Sequence, residues 1–306
     1  MDYFLENIAT REKIRFFDEV QAYPQWYRWI KSFFDRYKDV KLFISGSSSL
    51  KMQKEANIYL RERIIPYTLY PLDFFEFLVM CNFHPEEIKI SDDVVDIDAT
   101  YNKIKSYWKE YMLVGGLPEW FELRNMSFSV EKWFSRLIED VPKKAFYEDI
   151  LNIYNIKSPR SLELIFAFIA ANQSRVLSYE SINEIVRMDR TTLIEYIEFL
   201  KASYLIIEIK KYARNIKSRM KSKKKFLVID QGIRNAMLKD YEVRENNEGL
   251  IAENIAGIYL HRICEKSDGS IYYWRNREEI DFILLRGKDM VPVEVKYVDD
   301  PKNQGT

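Results

Sequence analysis

Two adjacent carboxylates, Asp18 and Glu19, close a short apolar run of Ile14, Phe16 and Phe17, which predicts a short buried strand with acids at its tip. An unpaired charge is expensive to bury, so such a tip meets a cation, a hydrogen-bond network or bulk water, or its acids cap the turn that follows. A second run, Val40, Leu42, Phe43 and Ile44, ends in Ser45-Gly46-Ser47-Ser48-Ser49. Near the far end Asp281 opens one predicted strand, and Glu294 and Lys296 stand two apart on the next. A period of two puts Glu294 and Lys296 on one face, and pairing across the turn at 286–289 would bring Asp281 towards them. From Lys210 to Lys225 the chain carries nine Lys or Arg and no acid, a run able to displace counterions from nucleic acid.

The first pair of runs is joined by one amphipathic helix. Pro24 suits a first helical turn, and Trp26, Trp29, Ile30, Phe33 and Phe34 recur at helical spacing. Strand, helix, strand with both polar tips at the carboxyl ends is a βαβ crossover, and parallel α/β sheets bind ligands at those ends.

A strand closing in Asp-Glu, followed one crossover later by a strand closing in Ser-Gly-Ser-Ser, resembles the Walker B and sensor strands of AAA-type P-loop ATPases. The resemblance implies that Asp18 holds Mg²⁺ through water, Glu19 polarises the attacking water and Ser45 senses the γ-phosphate of ATP. Two further motifs resemble one prokaryotic branch of that family, which carries a C-terminal domain of unknown function. Tyr70-Pro71-Leu72-Asp73-Phe74-Phe75-Glu76-Phe77-Leu78 follows a predicted strand at 67–70, and Tyr111 to Glu119 matches Tyr-x-x-x-Gly-Gly-x-Pro-Glu. The branch shows a Gly-Arg before the predicted strand; Glu62-Arg63 stands here, which makes Arg63 a candidate phosphate-facing charge. A Walker A loop, G-x-x-x-x-G-K-[ST], is missing, since Gly287-Lys288 is followed by Asp289, so ATP and Mg²⁺ are cofactors of the intact family and their use by this sequence is conditional.

The second half reads as helices at 161–173, 178–187 and 189–205, with Asp189 as N-cap, then strands at 206–211 and 225–229. The pattern resembles a winged helix, a candidate nucleic-acid or protein adaptor. In the nucleic-acid reading Arg187, Arg190 and Lys201 approach phosphates, and Lys221, Lys223, Lys224 and Lys225 of the wing grip the backbone. Glu195 and Glu198 on the second helix oppose that contact and favour a packing module. At the end, Asp281, Glu294 and Lys296, with Glu253 on the preceding helix, resemble the PD-(D/E)XK nuclease pattern. That likeness implies Mg²⁺ at Asp281 and Glu294, completion of the site by Glu253, and water activation by Lys296. The plainer reading is a three-stranded sheet whose charges pair among themselves. His261 and Cys264, three apart on that helix with no second such pair, make a poor zinc site.

The fold expected is therefore α/β in four parts: residues 1–79, a partial parallel-sheet P-loop NTPase domain; 80–158, a helical lid and linker; 159–229, a winged helix; 230–306, an incomplete nuclease-like α/β end. Across 306 residues, 47 basic and 47 acidic side chains cancel, so any nucleic-acid contact is local. Two cysteines fit a reducing cytoplasm better than a disulfide framework. The longest apolar run, Leu164 to Ala171, falls well short of the ~20 residues of a membrane helix, so no membrane partner is expected.

Overall fold

The computed structural model describes residues 14–20, 23–46, 56, 58–60, 63–83, 97–126, 128–149, 158–213, 215 and 222–297. They fall into two compact units, 1–69 and 70–306.

In the first unit β1 (Ile14–Phe17) and β2 (Lys41–Ile44) flank α1 (Trp26–Arg36) and pair parallel, Ile14 opposite Lys41 and Phe17 opposite Ile44. Phe17, Leu42 and Ile44 point to one face and pack with Trp26, Ile30 and Leu60. Ile14, Phe16 and Phe43 point to the other, where Phe16 is 75 % exposed and stacks on Phe43 at 5.0 Å. The expected buried strand is thus buried on one face, because among the described residues the cover from α1, Val20, Ala56, Leu60 and Ile64 lies on that face. Residues 67–70, expected as a strand, have no strand pairing, and Leu69 is 99 % exposed. An isolated segment gains no ladder hydrogen bonds from its β-prone side chains.

The second unit begins with α2 (Phe74–Met80), started by a reciprocal cap: Asp73 Oδ1 accepts from Glu76 N at 2.9 Å, and Glu76 Oε2 accepts from Asp73 N at 2.8 Å. Then come α3 (Ile97–Val114), α4 (Glu119–Asn125) and α5 (Val130–Ile138). Two π turns, Glu139–Lys143 and Ala145–Asp149, extend α5, and the first contains Pro142, whose missing N–H disrupts the regular α ladder. Gly115, at φ 80°, ends α3.

Next in order are α6 (Pro159–Ala171), β3 (Val176–Leu177), α7 (Tyr179–Val186), α8 (Arg190–Ala202), β4 (Ile206–Lys211) and β5 (Lys224–Val228). Asp189 caps α8 through Thr192 N. The chain closes with α9 (Gln231–Leu238), α10 (Glu245–Lys266), β6 (Ser270–Arg275), β7 (Glu279–Arg286) and β8 (Asp289–Val293). The six strands form one sheet in the order β3-β5-β4-β6-β7-β8; β4 and β6 are parallel and the other neighbours antiparallel. The strands expected of a wing and of a separate end domain therefore share one sheet. Helix α10 lies close on it, for a Cβ at Gly257 would fall 2.6 Å from Phe282 and 2.7 Å from Leu227.

The turn after α3 locks onto the start of α9. Asn235 Nδ2 donates to the carbonyls of Met112 and Leu113 at 2.8 Å, and Trp133 Nε1 donates to Val114 O at 3.0 Å, so side chains satisfy the helix's last carbonyls. Asp230, buried, accepts Gly116 N–H at 2.6 Å and Ile233 N–H at 3.0 Å. Burial pushes its carboxyl up, and backbone N–H groups of Gly116, Ile233 and Gly232 oppose that. The Gly-Gly-x-Pro-Glu and Asp-x-Gly motifs, far apart in sequence, are two halves of this joint.

Candidate functional site

In the first unit the in-register pairing of Phe17 with Ile44 makes Asp18 and Ser45 the next residues on neighbouring parallel strands. Ser45 N–H donates to Phe17 O at 2.9 Å, and Val20 N–H returns to Ser45 O at 3.2 Å, which fixes the two tips. Ser45 Oγ donates to Asp18 Oδ1. Glu19 turns the chain off the strand line in the left-handed region, φ 51°. Asp18, Glu19 and Ser45 are all exposed. The tip thus offers an oxygen-only donor set, carboxylate and hydroxyl, of the hard kind that suits Mg²⁺ with water and phosphate oxygens. Arg63 lies beside Asp35, Nε to Oδ1 4.0 Å, rather than at these tips. Ser47, Ser48, Ser49 and Glu62 lie outside the described residues.

A second charged cluster sits where β5, β7 and α10 meet. Lys225 Nζ lies 2.6 Å from Glu253 Oε1, 3.3 Å from the carbonyl of Asp281, 3.8 Å from its Oδ1 and 4.0 Å from Glu279 Oε1. The rings of Phe282 and Tyr273 lie 5.1 and 5.9 Å from the same ammonium. Burial raises the Glu253 carboxyl, and Lys225 opposes that rise. Asp281 Oδ2 accepts Val295 N–H at 2.9 Å, which holds the segment after β8 against β7. Glu294 and Lys296 are about two-thirds exposed and pair with each other at 3.6 Å. The structure therefore brings Glu253 and Asp281 together around an ammonium and leaves Glu294 and Lys296 outside. Among the described residues no group of three or more His, Cys, Asp or Glu is arranged to hold a metal. His261 faces Glu265 at 3.5 Å, and Cys264 is buried in the sheet core.

Residues 1–78 match a family model described as an AAA domain, and residues 248–305 match one described as a domain of unknown function (DUF4143). The chain joins an AAA domain to a C-terminal domain of unknown function. Between them, residues 105–243 match another domain of unknown function (DUF8612). Two uncharacterized proteins of Methanocaldococcus jannaschii are 26% and 24% identical to the chain over 92% and 91% of its length. An uncharacterized protein of Haemophilus influenzae is 23% identical over 96% of it. The chain spans 60% of the length of each archaeal relative and 68% of the bacterial one. No solved structure gives a significant match.

The AAA domain model ends at residue 78, but the Tyr-Pro-Leu-x-Phe-x-Glu-Phe-Leu segment packs in the second unit, where Leu72 N–H donates to Gly116 O at 2.7 Å. Lys224 and Lys225, expected on an exposed wing, are 5% and 0% exposed. Lys225 is interior because α10 covers its face of the sheet and brings Glu253 to 2.6 Å, and a buried ammonium cannot reach a phosphate backbone. Of the other two, Lys223 is exposed, and Lys221 lies outside the described residues. Arg190 pairs with Glu180 at 2.7 Å, and Lys201 pairs with Glu198 at 2.7 Å and Glu208 at 3.3 Å. Lys225 as an internal cation was missed. A lysine opening the run Phe226-Leu227-Val228-Ile229 was its one local signal.

No helix among the described residues is long and apolar enough to cross a membrane.

Proposed function

We propose that residues 14–46 form the metal- and water-handling part of an AAA-type ATPase, and that the whole protein hydrolyses ATP. The observation that carries this reading is the Ser45 to Asp18 hydrogen bond across the parallel tips of β1 and β2. It joins a carboxylate to a hydroxyl at the end of a sheet where α/β proteins take phosphate ligands. Mg²⁺ held at Asp18 would offset phosphate charge, the main electrostatic demand of phosphoryl transfer. Ser45, by donating to Asp18, keeps that carboxylate oriented and leaves its own oxygen lone pairs towards solvent. Glu19, exposed and next to Asp18 at the tip, is the residue assigned to hold and orient a water.

The test is titration of the chain with a fluorescent ATP analogue, with Mg²⁺ or with EDTA. Saturable, Mg²⁺-dependent binding that weakens at least about tenfold in Asp18→Ala is expected, the range for loss of a charged contact. Binding indifferent to Mg²⁺ and to Asp18 would overturn the reading.

A second reading, of a protein adaptor, applies to residues 159–228. Their order α6-β3-α7-α8-β4-β5, with β3 and β4 flanking β5, supports a winged helix. The pairing of Arg190 and Lys201 with acids, and the continuation of its sheet into β6, favour a packing role over reading of DNA. Anisotropy with a labelled duplex is expected to give weak binding that Arg190→Glu leaves unchanged. A steep salt dependence that Arg190→Glu removes would restore the nucleic-acid reading. The helix and three-stranded meander at 245–293 support a nuclease-like fold, but Lys225 already engages the carboxylates that catalysis would need. Mn²⁺-dependent cleavage that Glu294→Ala abolishes would reverse that view.

A further inference from the structure

The second unit contains a cavity of about 450 Å³ between the segment at 71–75, α3 and α10. Its volume lies in the ~300–1,000 Å³ range of small-molecule sites. Leu72, Phe74, Trp108, Ile255 and Ile258 line it, and Ala252 and Ala256, one turn apart on α10, leave the room. The aromatic wall is braced: Phe74 meets Trp108 edge-on at 4.9 Å and Tyr111 at 5.5 Å.

The polar groups along the wall are already engaged. Tyr111 Oη donates to Leu72 O at 2.8 Å, Asp230 accepts the N–H groups of Gly116 and Ile233, and the amides of Gln231 and Gln173 bond each other at 3.1 Å. An interior whose donors and acceptors are matched rewards an apolar guest and gives a polar one nothing in exchange for its water. The rim cations are matched too: Lys296 pairs with Glu294 at 3.6 Å, and Arg262 with Glu76 at 3.2 Å and Asp73 at 3.6 Å, so carboxylates outnumber cations there. Phe75 and Tyr259, large and exposed, add apolar surface beside them.

We propose that this cavity binds a small uncharged apolar molecule, seated against Trp108, Phe74 and Ile255. The apolar interior selects the hydrocarbon, and a rim in which carboxylates outnumber cations disfavours an anionic head.

The neutral dye N-phenyl-1-naphthylamine, whose fluorescence rises in apolar sites, tests the cavity, with decanoate and decanol as competitors. Saturable dye binding is expected, with decanol displacing it at about fivefold lower concentration than decanoate, the scale of one unanswered rim charge. Ala256→Trp should abolish dye binding and Ala256→Leu weaken it, the milder variant guarding against misfolding of the first. Dye binding equal in wild type and Ala256→Leu, with the variant folded by circular dichroism, would overturn the site. Displacement by decanoate as strong as that by decanol would overturn the preference for an uncharged ligand.

Discussion

Lys225 Nζ lies 2.6 Å from Glu253 Oε1 in the interior of the second unit, with Asp281 Oδ1 at 3.8 Å. One ammonium there answers the charge of carboxylates from a helix and a strand. Lys225→Met leaves Glu253 and Asp281 without it, and breaking a buried pair in this way costs about 3–5 kcal/mol. The double variant Lys225→Met with Glu253→Gln should recover a large part of the loss, because the uncompensated charge goes with its partner. Urea unfolding of the four proteins reads this as a coupling energy, and strictly additive effects would refute the pairing.

The same pair sets a pH dependence. Burial raises the Glu253 carboxyl above its ordinary value of 4.5, with Lys225 opposing. The folded protein therefore holds that proton more readily than the unfolded chain. The resulting contribution is fully present below the unfolded value and is lost as pH rises through the raised folded one. Without Lys225 the carboxyl rises further, so the penalty of Lys225→Met should grow as pH climbs above 4.5. Adding Glu253→Gln should flatten that growth. Stability measured against pH checks both, and a Lys225→Met penalty that shrinks over this range would contradict the assignment.

Three glycines give a steric contrast. A Cβ on Gly116 would sit 2.2 Å from Leu72 O, and one on Gly232 would sit 2.1 Å from Val114 O. These are backbone atoms in the joint that Asp230 fastens, so Gly116→Ala and Gly232→Ala should each cost several kcal/mol. Gly249, in α10, has nothing within 4 Å of its missing Cβ, and Gly249→Ala should stabilise by about 0.5–1 kcal/mol. Denaturation midpoints moving the same way in all three would show that the joint is not as tight as it looks.

Local chemistry was legible in the sequence where the interaction itself is local. The Asp189 cap acts three residues away, Gly115 stops its own helix, and the β1-α1-β2 crossover needs only consecutive elements. Long-range partners were not legible. Lys225 looks like part of a solvated basic run until β3 and β4 enclose β5 and α10 brings Glu253. The β4–β6 pairing, which makes one sheet of two expected domains, links segments about 60 residues apart with no mark in either strand. The segment at 67–70 failed in the opposite sense, since β-prone residues form a strand only when a neighbour takes their N–H and C=O groups. At the candidate site, Asp18 and Ser45 came together because register follows from adjacent parallel strands. Glu294 and Lys296 sit outside the cluster because strand periodicity fixes a face but not what lies opposite.

Glu19 carries a further prediction. Its φ of 51° places an ordinary L residue where glycine is at ease, at a cost on the order of 1 kcal/mol. If the carboxylate is there for its chemistry, its removal should not harm the turn. Glu19→Gly is expected to keep or raise local stability, and Glu19→Val to lower it, since a β-branched side chain tolerates that region least. Amide exchange at Val20, whose N–H donates to Ser45 O at 3.2 Å, reports opening of the tip directly. Slower or unchanged exchange in the glycine variant and faster exchange in the valine variant are the expected pair. Faster exchange in Glu19→Gly would mean that the side chain holds the turn together, and its place in water handling would have to be surrendered.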